Sequence, residues 1–177
     1  WRGGLVGKIL SDQYLFTGLK NTRTCKEFAL LLELRKRGLN VPEPIGAQIQ
    51  KAGLIYRGDL LTQEIPGAQS LLEILQNRPL ETDEIAKVGE VIASLHRQGV
   101  YHADLNINNI LFDSQERVFI IDFDRGRLVK SGHKCLKQNI NRLYRSFLKE
   151  ASRNEPFYWQ DKQWELLING YKKLIED

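Results

Sequence analysis

The sequence predicts an α+β protein in two lobes, and three observations support that class. Short runs rich in β-branched and aromatic residues fill most of the chain before Pro66. Longer segments in which apolar residues recur at helical spacing fill most of the chain after it. Pro66-Gly67 is the strongest break between these regions. Because strands and helices are segregated in this way in α+β folds, we predict a strand-rich lobe over residues 1–66 and a mainly helical lobe over residues 67–177.

In the first region the sequence predicts several strands and one helix. The helix runs from about Arg23 to Lys36, with Thr24 as its N-cap and Gly38 after its end. A hairpin turn is predicted at Lys51-Ala52-Gly53. The predicted strands are Leu5–Leu10, Tyr14–Leu19, Ile45–Gln50 and Leu54–Ile65.

The second region is predicted to be helical apart from one small hairpin. The predicted helices are Ser70–Gln76, Asp83–Gln98 with Thr82 as N-cap, Leu136–Ser152 and Trp159–Ile175. The hairpin strands are Ile110–Phe112 and Val118–Ile121. Since only a few residues link the two regions, we expect a ligand cleft between them.

Composition excludes several classes of protein. Of the 177 residues 42% are hydrophobic and 27% charged, which excludes wholesale disorder because enough apolar surface exists for a core. No run of roughly 18 apolar residues occurs, so the sequence predicts no membrane span. Two cysteines are too few for a disulfide framework, which favours a reducing compartment. The chain lacks methionine and starts with Trp1, from which we expect its natural beginning to be missing.

The segment after Val100 carries the residues that indicate chemistry. His102, Asp104 and Asn109 stand in the order H-x-D-x-x-x-x-N, and Asp122-Phe123 follows at the end of an apolar strand. This is the order of a kinase catalytic loop and its metal-binding Asp. An ionised Asp104 can accept a proton from an attacking hydroxyl, while Asn109 and Asp122 offer the oxygen ligands that Mg²⁺ prefers. The alternative is that these side chains only bond local backbone in turns, with His102 orienting the loop.

A wider set of motifs resembles the lipopolysaccharide core kinases of the protein-kinase-like superfamily, and among them the kinases of 3-deoxy-D-manno-octulosonic acid (Kdo). The resemblance implies a bilobal kinase-like fold, with a small antiparallel-sheet N-lobe that is incomplete here and a mainly helical C-lobe. The motifs are Arg2-Gly3-Gly4-Leu5, Thr22-Arg23, Glu27-Phe28, Gly38 to Pro44, Asp59 to Thr62, Tyr101 to Asn106, Ile121 to Asp124 and Asn141 to Ser146.

The resemblance also implies residue roles. Asp104 corresponds to the catalytic base, and His102 is predicted with it as a catalytic residue, while Asn109 and Asp122 correspond to the magnesium ligands.

Nucleotide binding is implied for a second set of residues. Glu27 corresponds to the helix glutamate that pairs with a nucleotide-binding lysine, although Thr24-x-x-Glu27 also fits a capping box. The backbone around Glu64 and Ile65 corresponds to the hinge that holds adenine. The sequence has no Gly-rich phosphate loop and no strand lysine before Glu27. The family places its basic residue slightly upstream of the Arg-Gly-Gly motif, so the resemblance predicts it before Trp1.

The net charge of +4 is unevenly distributed. Between Arg125 and Arg153 nine Lys and Arg stand against one Glu, a net charge of +8. On the predicted helix Arg142, Arg145 and Lys149 lie opposite the apolar side. We predict that they dock a phosphorylated glycolipid or an anionic membrane surface, the alternative being an ordinary solvated face.

The acceptor is predicted to be a hydroxyl compound other than a peptide. No Ala-Pro-Glu segment follows Asp122, and Asp124 replaces the glycine of Asp-Phe-Gly. The resemblance implies phosphorylation of the Kdo 4-hydroxyl on a lipid A precursor, using ATP and Mg²⁺, by a protein bound peripherally to the cytoplasmic face of the inner membrane. Two alternatives stay open: a kinase of soluble aminoglycoside-like or choline-like compounds, and a non-catalytic, anion-binding pseudokinase. No nucleic acid partner is predicted, because interleaved stacking aromatics are missing from the sequence.

Overall fold

A computed structural model describes residues 13–130 and 134–175. Within them five α-helices and three small antiparallel sheets form an α+β fold, which confirms the predicted class. The helices are α1 Arg23–Lys36, α2 Leu71–Asn77, α3 Thr82–Arg97, α4 Lys134–Ala151 and α5 Asp161–Ile175. The strands are β1 Tyr14–Leu15, β2 Pro44–Ala52, β3 Ile55–Thr62, β4 Gln69–Ser70, β5 Val100–Tyr101, β6 Ile110–Phe112, β7 Val118–Ile120 and β8 Arg127–Leu128. Two 3₁₀ turns lie at Leu19–Asn21 and Ile107–Asn109.

The first sheet has the strand order β1-β3-β2 and is antiparallel throughout. Ala52 pairs with Ile55, so the hairpin turn is Gly53-Leu54, and Lys51 and Ala52 of the predicted turn belong to strand β2. Gly53 has φ 61°, a left-handed conformation that favours glycine. The predicted strand Tyr14–Leu19 is wrong beyond Leu15, because the chain enters a 3₁₀ turn at Leu19. The predicted strand Leu5–Leu10 lies outside the described residues.

Helix α1 begins directly after its cap, Thr22, and the predicted cap, Thr24, is wrong. The Thr22 hydroxyl accepts a hydrogen bond from the Cys25 N–H at 3.3 Å. Thr24 is buried instead, since its hydroxyl faces the sheet at Gly58. A Cβ at Gly58 would lie 2.2 Å from Thr24 Oγ1, so glycine there lets α1 pack closely on the sheet.

Helix α3 is also capped differently from the prediction. Glu81 is the N-cap and Thr82 the first helical residue. The Glu84 carboxylate accepts the Glu81 N–H at 2.8 Å and pairs with Arg78 at 2.7 Å. These contacts start helix α3 at Thr82, one residue earlier than it would start if Thr82 were the cap.

Two glycines bring α3 and α5 into backbone contact. A Cβ at Gly89 would lie 2.1 Å from the Leu167 carbonyl oxygen, and one at Gly170 would lie 2.6 Å from the Ala86 oxygen. No other residue type fits at that distance. Glycine at both positions therefore lets the backbones of α3 and α5 pack directly against each other.

One hydrophobic core joins all the large elements. It includes Leu34 of α1, Leu75 of α2, Ile92 of α3, Ile120 of β7 and Phe147 of α4, each at 0% exposure. The predicted hairpin of β6 and β7 is confirmed, and β4 extends its sheet. In the described part of the chain no helix is both long and apolar enough to span a bilayer. A lobe boundary at Pro66 stays a prediction.

Candidate active site

Asp104 lies on a loop between β5 and β6 that asparagine side chains hold in shape. The Asp104 backbone oxygen accepts hydrogen bonds from Asn106 Nδ2 and Asn109 Nδ2, both at 2.9 Å. Asn106 Oδ1 accepts the Asn108 N–H at 2.8 Å and so caps the 3₁₀ turn that follows. The Asp104 side chain is 51% exposed. The loop backbone is thus fixed while its carboxylate faces solvent.

The side chain of Asn109 is oriented so that its amide oxygen is available to a ligand. Its Nδ2 must face the Asp104 carbonyl, because a carbonyl oxygen can only accept. The Asn109 backbone oxygen accepts the Ile121 N–H at 3.0 Å, which brings the residue before Asp122 beside this loop. The hairpin β6–β7 returns the chain to Asn109, as the order of the motifs predicts.

His102 connects the loop to the same strand end. Its Nδ1 accepts the Asp104 N–H at 3.1 Å, and its Nε2 therefore carries the proton and donates to the Ile121 oxygen at 2.9 Å. Burial lowers the pKa of His102, although Asp122 and Asp104 both act to raise it. A neutral ring bonded at both nitrogens is a positioning residue. These contacts position the loop, and a catalytic role for His102 stays a prediction.

Asp122 follows β7 in a left-handed conformation, with φ 62°. L-residues adopt this conformation rarely and mostly at functional or tightly held positions. Its Oδ1 accepts the Asp124 N–H at 3.4 Å. The exposed carboxylate thus lies at the end of the strand that contacts Asn109 and His102. The structure brings Asp104, Asn109 and Asp122 to one edge of the loop cluster.

Glu27 faces this cluster from α1. Burial raises the pKa of Glu27, and the neighbouring charge of Asp122 raises it further. A hydrogen bond from the Phe123 N–H and the charge of Arg23 act in the opposite direction. The capping-box alternative for Glu27 is wrong, because Thr22 caps the helix and Cys25 stands at the capped position.

A cavity of about 630 Å³ opens beside these acids. Its size is within the ordinary range for small-molecule sites. Glu64 and Ile65, the predicted hinge residues, line it together with Glu27 and Asp122. The other lining residues are Leu31, Pro42, Leu60, Thr62, Gln63, Gly67, Ala68, Leu111 and Ile121. The expected cleft thus lies between β3 and Asp122-Phe123 with the residues that follow, here called the D-F segment.

The three predicted docking residues do not share one environment. Arg142 Nη1 donates to Asp104 Oδ1 at 2.9 Å and so belongs to the site itself. Arg145 is exposed, and Lys149 is exposed beside Glu150 at 3.5 Å. The basic face of α4 therefore starts at Asp104 and continues away from it.

Comparison with known proteins identifies the family. Residues 1–171 match the lipopolysaccharide kinase (Kdo/WaaP) family. The chain belongs to this family. A "3-deoxy-D-manno-octulosonic acid kinase" of Vibrio parahaemolyticus is 46% identical over 173 residues, which cover 98% of this chain and 72% of the relative. Kinases of that name from Vibrio cholerae and Pasteurella multocida are 49% identical over 150 residues and 42% identical over 176 residues. These matches cover 85% and 97% of this chain, and 63% and 72% of those relatives.

Membership in the lipopolysaccharide kinase family confirms the predicted resemblance, the kinase-like fold and a phosphotransferase activity. The two alternatives, a kinase of soluble small molecules and a non-catalytic module, are not favoured by these relatives. The roles of the individual site residues stay predictions.

Sequence reasoning missed Asn139 and Ser146 on α4. Asn139 is 1% exposed and hydrogen-bonds His102, while Ser146 Oγ accepts the Ile107 N–H at 3.2 Å. Asn139 had a signal, since it is a polar residue on the apolar stripe of Leu136 and Leu143. Ser146 belongs to the motif Asn141 to Ser146, but that motif assigns it no contact with the loop.

Proposed function

We propose that this protein transfers a phosphoryl group from ATP to the 4-hydroxyl of Kdo on a lipid A precursor. The observation that carries the proposal is the half-exposed Asp104 carboxylate on the loop that Asn109 holds. Asn109 in turn bonds the residue before Asp122, which lines the cavity together with Glu64 and Ile65. The names of the relatives supply the acceptor, since each is a kinase of 3-deoxy-D-manno-octulosonic acid.

Asp104 acts on the acceptor in this proposal. Its carboxylate accepts a hydrogen bond from the sugar hydroxyl, orients the oxygen and takes its proton as the new bond to phosphorus forms. The fixed backbone of the loop limits the positions that this carboxylate can adopt. A hydroxyl bound there is held in one orientation, which is the main contribution an enzyme makes to phosphoryl transfer.

Asn109 and Asp122 suit a Mg²⁺ ion. They offer one amide oxygen and one carboxylate, and Mg²⁺ commonly takes few protein oxygens together with phosphate oxygens and water. Among the described residues no group of three His, Cys, Asp or Glu could hold a metal. The ion, when bound, neutralises negative charge on the transferred phosphate.

The nucleotide is assigned to the cavity. Pro42, Leu60 and Leu111 provide apolar surface for a purine ring. The backbone of Glu64 and Ile65 would supply the polar contacts that orient it, as the family resemblance implies. Glu27 would hold a cation that contacts the phosphates, and such a partner would lower the raised pKa of Glu27.

Asp104→Ala tests the proposal. We expect turnover to fall by about 10²–10⁴-fold, because the variant cannot accept the hydroxyl proton. The measurement is transfer of labelled γ-phosphate from ATP to a Kdo-bearing lipid A precursor. The matched control is Asp161→Asn, which removes a carboxylate from the exposed start of α5. This variant should retain wild-type turnover. Near wild-type turnover in Asp104→Ala would overturn the assignment.

A further inference from the structure

We infer that Arg142 binds the carboxylate of the acceptor sugar acid and thereby places the reacting hydroxyl on Asp104. This inference rests on the proposed function and deepens it. It assigns to one residue the recognition of the acid group that distinguishes this acceptor from a neutral sugar.

The position of Arg142 is the first argument. It lies on the exposed face of α4, 38 residues along the chain from Asp104, and its Nη1 donates to Asp104 Oδ1 at 2.9 Å. The side chains are 46% and 51% exposed, so solvent reaches both partners of the pair. A ligand that binds the Asp104 carboxylate is therefore within reach of the guanidinium.

The second argument is the unused hydrogen-bonding capacity of Arg142. A guanidinium carries five N–H donors in a planar fork that matches a carboxylate. Within residues 13–130 and 134–175, the guanidinium of Arg142 makes one hydrogen bond, to Asp104. The remaining donors have no acceptor within those ranges, so a second anion can bind without displacing Asp104.

The third argument is charge. An acceptor carboxylate that approached this site would be repelled by Asp104 and Asp122, and a cation beside Asp104 offsets that repulsion. Arg23 and Arg125 are paired with Asp124. Arg142 is instead in direct contact with the carboxylate that the hydroxyl must reach.

The chemistry of the acceptor fits this spacing. An octulosonic acid carries its carboxylate on carbon 1, and the proposed reacting hydroxyl is on carbon 4. Two carbons separate these positions, so both groups lie within the width of one sugar ring. Asp104 and Arg142, which touch each other, can hold one group each.

The experiment compares two acceptors, a Kdo-bearing lipid A precursor and the same glycolipid with its Kdo carboxyl converted to the methyl amide. For the wild type we expect kcat/KM to be about 10–100-fold higher with the acid, as a charge-assisted bidentate contact provides. For Arg142→Gln we expect the two acceptors to be used within about threefold of each other, mainly through a higher KM for the acid. Arg142→Lys should be intermediate, because it keeps the charge without the fork.

Lys137→Gln is the matched control, since it removes the same charge from another exposed face of α4 and should keep the wild-type preference. An Arg142→Gln variant that loses activity equally on both acceptors would show that Arg142 only positions Asp104, and would overturn the inference. Equal use of both acceptors by the wild type would also overturn it while leaving the proposed function intact. A wild type that phosphorylates neither acceptor would overturn both.

Discussion

Asn139 brackets the backbone of His102. Its Oδ1 accepts the His102 N–H at 3.1 Å, and its Nδ2 donates to the His102 carbonyl oxygen at 2.6 Å. Both residues are buried, at 1% and 2% exposure. Helix α4 thereby fixes the start of the loop that carries Asp104, although no side chain of the catalytic motif is on α4.

Asn139→Ala should destabilise the protein by about 3 kcal/mol, because it leaves two buried backbone groups of His102 without partners at about 1–3 kcal/mol each. Turnover should also fall below that of the wild type at temperatures where the variant is folded, since the loop loses its support. Urea unfolding and the phosphotransfer assay measure the two effects. Gln138→Ala, an exposed neighbour on α4, is the control. A loss of less than 0.5 kcal/mol in Asn139→Ala would contradict the bracket.

The contrast between Asn109 and Asn139 shows what the sequence could predict. The sequence predicts Asn109 beside Asp104 and Asp122, because the loop and the short hairpin connection 113–117 are local and local turns constrain the chain strongly. The contact between Asn139 and His102 joins residues 37 apart and depends on how α4 packs. Helical periodicity predicts which face of α4 is buried, but not which backbone that face meets.

The same reasoning explains the errors at strands and caps. Strands β4, β5 and β8 have two residues each and form by pairing across the fold, so they leave no alternating pattern in the sequence. Thr24 has the residue type of a cap, but packing against Gly58 buries it. Arg142 was placed correctly on the exposed face of α4, whereas its contact with Asp104 follows from tertiary structure alone.

His96 should make the stability of the protein depend on pH between about 6.5 and 4. Burial lowers the pKa of His96 from 6.5 to about 4, and the neutral ring donates from Nε2 to Asn139 Oδ1 at 3.4 Å. The unfolded state binds the extra proton first as the pH falls, so stability is highest above pH 6.5 and is lost towards pH 4. The full effect is roughly 3 kcal/mol, from 1.36 kcal/mol per pKa unit.

Urea unfolding of the wild type and of His96→Gln at pH 7.0, 6.0 and 5.0 measures this effect. The difference in unfolding free energy between the two proteins should shrink steadily as the pH falls, because only the wild type gains a proton at this position on unfolding. Carboxylates such as Glu84 titrate in both proteins, so their contribution cancels in the difference between the wild type and His96→Gln. A difference that stays constant across this range would contradict a neutral, buried His96.

Arg23 and Asp124 should be energetically coupled, since they join α1 to the D-F segment. Arg23 Nε donates to Asp124 Oδ1 at 2.7 Å, and its Nη2 contacts the other carboxylate oxygen. A double-mutant cycle with Arg23→Gln and Asp124→Asn should give a coupling free energy of about 1 kcal/mol, as bidentate and partly buried pairs do. Each single variant should also reduce kcat/KM, because α1 carries Glu27 and the pair holds it near Asp122.

The exposed pair of Arg35 and Glu43, 3.4 Å apart, is the matched control for this cycle. Its coupling should be only a few tenths of a kcal/mol, as for most surface ion pairs. Equal coupling in the two pairs would show that Arg23 and Asp124 form an ordinary surface contact.

Arg145 and Lys149 should contribute to binding at an anionic membrane surface, if the exposed face of α4 docks there. Each basic residue near such a surface contributes about 1 kcal/mol, so replacing both with Gln should weaken partitioning by about 30-fold. Sedimentation with vesicles of phosphatidylglycerol and phosphatidylcholine at 0.1 M salt measures this change. The difference should diminish at higher salt, because screening shortens the range of the attraction.

The control for the membrane experiment removes two charges elsewhere. Lys162→Gln with Lys172→Gln changes exposed residues of α5 and leaves the face of α4 intact. This double variant should bind the same vesicles almost as well as the wild type. Equal losses in the two double variants would show that net charge alone drives adsorption. In that case α4 would not be the docking face, whereas a selective loss from α4 would place the membrane on the side of the protein where Arg142 meets Asp104.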